Sequence, residues 1–224
     1  FDCPALSLSL ESLLEKIDEK TGLVVIQTAT PSIKEDLEVV KSIKNKFPQI
    51  KIVLVGPHVS VLDKEILREN EQVDFIARGE YEYTIRDLAK ALIGNGDFKN
   101  VLGISFRKDN EIIQNPARHY IENLDGMPFP ARHSLPMDVY FEPVFKSKRT
   151  FRLFGSRGCA FQCVFCLWPQ TMFGRRIRFR SPKNIVDEIE ELINVYGAKA
   201  IYFEDDTFTA NPQRAKEICQ LILQ

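Results

Sequence analysis

Three times in its first hundred residues the chain passes from an apolar stretch through a short turn into a segment with helical spacing. Leu23-Val24-Val25-Ile26-Gln27 leads through Thr28–Pro31 to a helix bearing Leu37, Val40 and Ile43. Lys51-Ile52-Val53-Leu54-Val55 leads through Gly56-Pro57-His58 to a helix through Ile66 and Leu67, and Asp74-Phe75-Ile76-Ala77 leads through Arg78-Gly79-Glu80 to one bearing Ile85, Leu88, Ala89 and Leu92. Continuous apolar runs without alternation are expected of strands buried on both faces. Strand, short turn and helix in repetition predict an α/β fold with a doubly wound parallel sheet. Such sheets bind ligands outside the carboxyl ends of their strands, so the three turns are expected to share one rim. None of them is a G-x-G-x-x-G dinucleotide fingerprint or a P-loop. Ser9–Lys20, with Leu10, Leu13, Leu14 and Ile17, reads as a preceding helix, and Phe1-Asp2-Cys3-Pro4 as the tail of a strand. Ser32 with Glu35 has the form of a capping box.

Beyond residue 95 the pattern changes. Val101 to Ile113 alternates about Lys108-Asp109-Asn110, as a hairpin does. From Asn115 to Pro143 five prolines (Pro116, Pro128, Pro130, Pro136, Pro143) rule out a long helix, so this stretch reads as a connector laid over the surface. His119 and His133 fall within it, and Lys146, Lys148, Arg149 and Arg152 read as a solvated approach to the next element. After the apolar run Phe151–Phe154 come Cys159, Cys163 and Cys166, three of the chain's five cysteines, at C-x3-C-x2-C spacing. Thiolates so close can converge on one metal centre, and soft sulfur favours zinc, copper(I) or iron–sulfur. Structural zinc normally takes four protein ligands. Here the nearest other Cys or His residues are His133, 26 residues before the motif, and Cys219, 53 after it. Three thiolates with one open position suit a [4Fe–4S] cluster; three-ligand zinc and three packed cysteines are the alternatives. Leu167–Thr171 continues an irregular segment. Ser181-Pro182 opens a helix over Asn184–Tyr196, Ala200–Phe203 is a buried strand ending in Glu204-Asp205-Asp206-Thr207, and Asn211-Pro212 opens a last helix. Cys219, among Ile218, Leu221 and Ile222, reads as buried.

The spacing Cys159-x3-Cys163-x2-Cys166, with Phe165 just before the last cysteine, resembles the signature loop of the radical S-adenosylmethionine (SAM) enzymes. The resemblance implies that the three cysteines hold a [4Fe–4S] cluster whose open iron chelates SAM, that Phe165 packs on the adenine, and that Asp205 or Asp206 accepts the SAM amino group, although that family's more common Gly-Gly-Glu is absent. It implies reductive cleavage of SAM to a 5′-deoxyadenosyl radical, with an electron donor of the reduced flavodoxin or ferredoxin type. Residues 1–95 resemble the cobalamin-binding domain that precedes the barrel in one branch of these enzymes, in the segments Val55–His58 and Phe75–Glu80. Thr28, Thr30, Gly56, Pro57, His58, Gly79 and Glu80 are then the expected cobalamin contacts. No D-x-H-x-x-G motif occurs, which implies cobalamin without a protein histidine on cobalt. The expected organisation is a cobalamin-binding domain over 1–95 lacking its first strand, a hairpin and proline-rich connector over 96–150, and a truncated radical SAM (β/α) partial barrel over 151–224. The implied outcome is methyl transfer, or carbon-skeleton modification, on a small-molecule or lipid-like substrate. The run Cys166–Thr171 is similar to radical SAM proteins of hopanoid processing. Rival readings are a corrinoid-binding or iron–sulfur electron-carrier module without SAM chemistry, and a structural zinc protein.

Composition narrows the classes further. Thirty Lys and Arg against 31 Asp and Glu give a formal charge of −1, which offers no footprint for nucleic acid. No run of about 18 apolar residues is present. Clustered rather than dispersed cysteines argue for a reducing compartment, so a cytoplasmic location is expected. The chain opens on Phe1 and stops within a helical pattern, so it is expected to be a piece of a longer protein, unable alone to turn over substrate.

Overall fold

The computed structural model describes residues 1–94, 97–142 and 147–224; the side chains of 141, 142, 147 and 148 fall outside that description, as do Pro143 and Lys146 entirely. The residues group into two compact units: Leu10–Tyr120 with Gln162–Gly174, and Phe1–Ser9 with Ile121–Phe161 and Arg175–Gln224.

The first unit runs α1 (Leu10–Lys16), β1 (Leu23–Gln27), α2 (Ile33–Lys46), β2 (Lys51–Val55), α3 (Pro57–Val61), α4 (Asp63–Glu69), β3 (Phe75–Ala77), α5 (Glu82–Ile93), β4 (Ile104–Lys108) and β5 (Glu111–Gln114). These strands form one sheet in the order β1-β2-β3-β4-β5. β1, β2 and β3 are parallel, while β4 and β5 add antiparallel. The hairpin read from residues 101–113 is therefore part of the same sheet. Asp109 and Asn110 both have positive φ, as a two-residue type I′ turn requires. One face carries Ile52, Leu54 and Ile76 against Val40 and Ile43 of α2, Val59 of α3, and Ile66 and Leu67 of α4. The other face carries Val53, Val55, Phe75 and Ala77 against Leu88 of α5. Helices on both faces explain the unbroken apolar runs of β2 and β3.

Four local expectations are corrected. β1 is an edge strand rather than doubly buried, and Val25 is exposed. α1 stops at Lys16, because Asp18 closes a turn by accepting from the Lys20 N–H through its carboxylate and from the Thr21 N–H through its carbonyl. Phe1–Pro4 is a turn, since the Asp2 carboxylate and carbonyl accept from the N–H groups of Ala5 and Leu6. Ser32 makes no capping box: its backbone is already helical, and its hydroxyl donates to the Asp36 carboxylate at 2.8 Å. A capping hydroxyl needs an extended residue behind it.

The second unit contains an antiparallel pair, β6 (Phe141–Glu142) with β7 (Ser147–Lys148), followed by β8 (Thr150–Leu153), β9 (Ser156–Arg157), β10 (Arg178–Phe179), α6 (Pro182–Asn194), β11 (Ala200–Phe203) and α7 (Pro212–Ile222). β8 and β11 are parallel neighbours, and their Phe151 and Leu153 side pack on Ile185, Ile189 and Leu192 of α6 and Ile218 of α7. Both helices start as the sequence predicts. Ser181 accepts from the Asn184 N–H and Asn211 from the Arg214 N–H, each with proline at the first turn. Cys219 corrects its expectation, because it lies on the exposed side of α7. Between Ile121 and Tyr140 the connector's regular structure consists of 3-10 turns, ahead of the β6–β7 pair.

That connector is tied down by charge. Arg132 donates to Glu188 at 2.6 Å and to the Arg152 carbonyl at 3.1 Å, while Arg180 pairs with the second Glu188 oxygen and donates to the Phe154 carbonyl. Glu188 is 1% exposed. The two guanidinium groups satisfy the carbonyls of Arg152 in β8 and of Phe154 just after it. Among the described residues no helix is long and apolar enough to cross a membrane. Removing one partner of a buried ion pair leaves the others uncompensated. Glu188→Ala should therefore cost about 3 kcal/mol or more, read as a lower urea midpoint; an unchanged midpoint would show that the pairing carries no stability.

Candidate functional site

The parallel register Gln27↔Val55↔Ala77 brings the three predicted turns to one end of the first unit's sheet. Thr28 is buried, its N–H and hydroxyl both bonded to the Val55 carbonyl at 2.8 and 3.1 Å. Gly56, at φ +115°, lies so close that a Cβ there would sit 2.2 Å from the Thr28 oxygen. Pro57 is the first residue of α3, and His58 beside it meets Thr30, Oγ1 to Nδ1 at 3.1 Å. Gly79, at φ +67°, follows β3, and Glu80 next to it is buried. The structure thus places Thr28, Thr30, Gly56, Pro57 and His58 in contact, with Gly79 joined to them through a residue the sequence did not single out. Ser60 Oγ donates to the Gly56 carbonyl at 2.7 Å and accepts the Gly79 N–H at 3.0 Å. A serine one turn into a short helix carries no motif. Behind this rim Asp63, buried at the start of α4, accepts from Ser105 and Gln114 and lies 3.6 Å from Arg78 Nε. Burial lowers the Arg78 pKa, and the Asp63 charge opposes that shift.

The cysteines lie on an excursion whose base is the antiparallel ladder of β9 with β10. Gly158, at φ +90°, turns the chain out of β9. Cys159, Cys163 and Cys166 are all free thiols; Cys163 is exposed and the other two half-buried. Cys163 and Cys166 end one β-turn, closed by the Cys166 N–H to the Cys163 carbonyl at 3.1 Å. Among the described residues no three His, Cys, Asp or Glu side chains stand close enough to hold a metal ion. The donor set itself, three unbonded thiols on one irregular loop, fits an iron–sulfur centre better than any hard-ligand metal. Phe165 is 85% exposed and Val164 wholly so. The segment after the cysteines, expected to be irregular, is instead a π-helical turn, Pro169–Phe173, with proline at its first position.

In the second unit Asp205 and Asp206 follow β11. Asp205 is committed to the turn after β8, accepting from the Gly155 N–H at 2.9 Å and from the Ser156 hydroxyl. Glu204 pairs with Arg152. Partial burial, and then the charge of Asp205, raise the Asp206 pKa above the usual carboxylate range.

Two outcomes follow from this geometry. Gly56→Ala combines a left-handed backbone with a contact that nothing flexible can relieve, so it should cost more than about 2 kcal/mol; a denaturation midpoint equal to wild type would contradict the close turn-to-turn packing. Because the folded-state pKa of Asp206 is raised, its contribution to stability is greatest in acid and is lost as pH rises through that folded value. Asp206→Asn should flatten that decline in a pH series of thermal melts, and an unaltered slope would show the carboxylate is not under strain.

Comparison with known proteins places these two regions. Residues 2–89 match the B12 binding domain family and residues 153–224 the Radical SAM superfamily. An uncharacterised methyltransferase of Pyrococcus horikoshii is 35% identical over 219 residues, 96% of this chain and 46% of that protein. The anaerobic magnesium-protoporphyrin IX monomethyl ester cyclase of Cereibacter sphaeroides is 33% identical over 218 residues, 95% of this chain and 35% of that protein. The chain thus spans less than half the length of these relatives. Among solved structures, the cobalamin-dependent SAM radical enzyme OxsB has a TM-score of 0.80 at 21% identity, over 96% of this chain and 31% of that one. The radical SAM methyltransferase TsrM of Kitasatospora setae has a TM-score of 0.69 at 17% identity, over 99% and 43%. These structures share the fold. With a B12 binding domain joined to the first part of a radical SAM domain, the chain belongs to the family of cobalamin-dependent radical SAM proteins.

Proposed function

We propose that the chain forms part of an enzyme that cleaves SAM reductively and transfers a methyl group to a substrate carbon, using cobalamin on the rim of the first unit. The observation that carries this reading is the joining, in one chain, of a three-thiol excursion to a parallel-sheet rim of the cobalamin-binding kind. When bound, the cluster supplies one electron to the SAM sulfonium and cobalamin supplies a methyl carrier. Cys159, Cys163 and Cys166 would hold the cluster as thiolates, leaving one iron open. Phe165, exposed beside Cys166, offers a face for the adenine. Of the two candidate acceptors for the SAM amino group, Asp206 is the better, since both Asp205 oxygens are already engaged. An ammonium beside Asp206 would relieve its partial desolvation and the repulsion from Asp205. On the rim, Gly56 and Gly79 let backbone approach a large ligand closely, and Thr30 and His58 supply polar contacts without a cobalt ligand.

Ring closure on a substrate skeleton is a second reading, favoured by the cyclase relative. The electron donor on either reading is a reduced flavodoxin- or ferredoxin-type protein, and the substrate a small or lipid-like molecule. The full-length protein, purified without oxygen, should show iron–sulfur and corrinoid absorbance, and with SAM and dithionite should form 5′-deoxyadenosine. Cys163→Ala should abolish iron incorporation while Cys219→Ala leaves it intact; equal loss in both would overturn the ligand assignment. His58→Ala should leave the bound corrinoid spectrum nearly unchanged, and a large shift would show cobalt ligation by that imidazole. A colourless protein holding one zinc would replace the whole reading.

A further inference from the structure

The segment Gln162–Gly174 carries Cys163 and Cys166, yet it packs with the cobalamin-type sheet and its helices. Its π-helical turn lies against α3, the helix that starts at the rim residue Pro57. Pro169, Thr171 and Met172 are buried there, Met172 to 3% exposure. The Met172 carbonyl lies 3.8 Å from where a Cβ on the rim residue Gly79 would stand. At the segment's end Gly174, at φ +73°, rests on Tyr120 so tightly that a Cβ would meet the ring at 2.5 Å. Toward the cysteines the hydrogen bonds continue without a gap. Thr171 donates its N–H and hydroxyl to the Leu167 carbonyl at 3.0 and 2.9 Å, and the Gln170 amide donates to the Cys166 carbonyl at 3.1 Å. Ser60, on α3 itself, holds Gly56 and Gly79 together. One continuous set of contacts therefore runs from two rim turns, through α3 and the π-helical turn, to the β-turn that ends in Cys166. Single π-helical turns are rare and occur frequently at functional sites.

We propose that this segment couples the two cofactor sites, so that corrinoid on the rim and iron on the cysteines each strengthen binding of the other. The proposal rests on the cofactor assignment above. A ligand that orders the rim turns fixes the wall on which the π-helical turn lies, and ordering the cysteine turn fixes that wall from the other side. The second ligand then orders less of the chain, which is positive coupling without any change of fold. Linkage makes the effect reciprocal. Met172 and Thr171 are positioning residues in this scheme, since neither supplies a ligand atom.

The test titrates hydroxocobalamin into anaerobic full-length protein, by absorbance, with and without prior reconstitution of the cluster. Wild type should bind about five-fold or more tighter when iron-loaded, the lower end of ordinary coupling. Met172→Ala, which empties the buried contact, should still take up iron and corrinoid but bring that ratio close to one. Should Met172→Ala fail to fold, Thr171→Val keeps the shape, removes the hydroxyl bond to Leu167, and should lower the ratio in the same direction. Equal corrinoid affinity in loaded and unloaded wild type, or an undiminished ratio in the variant that folds, overturns the coupling. Failure of wild type to bind iron or corrinoid at all overturns the cofactor assignment instead, and the coupling with it.

Discussion

The carbonyl of Thr28 occupies the space where a side chain on Gly56 would be, and the organisation of the rim depends on that contact. Two parallel strands can end level with each other only if the turns that follow do not collide. Here the second turn yields by giving up its Cβ and adopting a backbone that side-chain-bearing residues avoid. The helix that follows can then begin at once, with Pro57 at its first position, and Ser60 comes within reach of both the β2 and β3 turns. The turns that follow β2 and β3 are thereby joined by one hydroxyl. A rim built this way presents backbone and short side chains outward, which lets a ligand with a wide flat body approach closely.

The cysteine excursion obeys a different constraint. A loop from Gly158 to Ile177 has no regular ladder to satisfy its backbone, so it must be closed at its base and supported along its length. The β9–β10 ladder closes it, and Arg175 helps by donating to the Phe161 carbonyl at 2.9 Å. Support for the middle comes from the buried Pro169, Thr171 and Met172. Between Cys163 and Leu167 the apolar side chains of Val164, Phe165 and Leu167 stand in solvent. Burying them would be favourable.

Much of this was legible in the sequence because it follows from periodicity and punctuation. The strands of the parallel sheet, the hairpin at Asp109-Asn110 and the caps at Ser181 and Asn211 are local signals with local causes. The misses have causes that are not local. Val25 looks like a core residue until the strand order puts β1 at the sheet's edge. Cys219 has Ile218, Leu221 and Ile222 near it in sequence, but one helical step turns it outward while Ile218 packs with α6. Ser32 lost its capping role to the backbone conformation of its own residue. The π-helical turn was hidden because Trp168-Pro169 reads equally well as loop, and only burial against α3 makes the wider turn worthwhile. Of the candidate site, the grouping of the three turns at one end of the sheet was readable from the fold class. Ser60 and Met172 were not, since a hydroxyl or a thioether acquires its part only from what the fold sets opposite it.

The pair Asp205-Asp206 shows how one strand end can divide structural and chemical duties. Successive residues leaving a strand point to opposite sides, and here one carboxylate turns back to hold the Gly155-Ser156 turn while the other is left over. The held carboxylate accepts an N–H and a hydroxyl. Its neighbour is partly buried and has that charge beside it, which together raise its pKa. A fold selected for stability alone would gain by replacing Asp206 with a neutral residue. Retaining a second acid there makes physical sense if a cation arrives, because an ammonium group would meet a carboxylate already oriented, partly stripped of water and repelled by its neighbour.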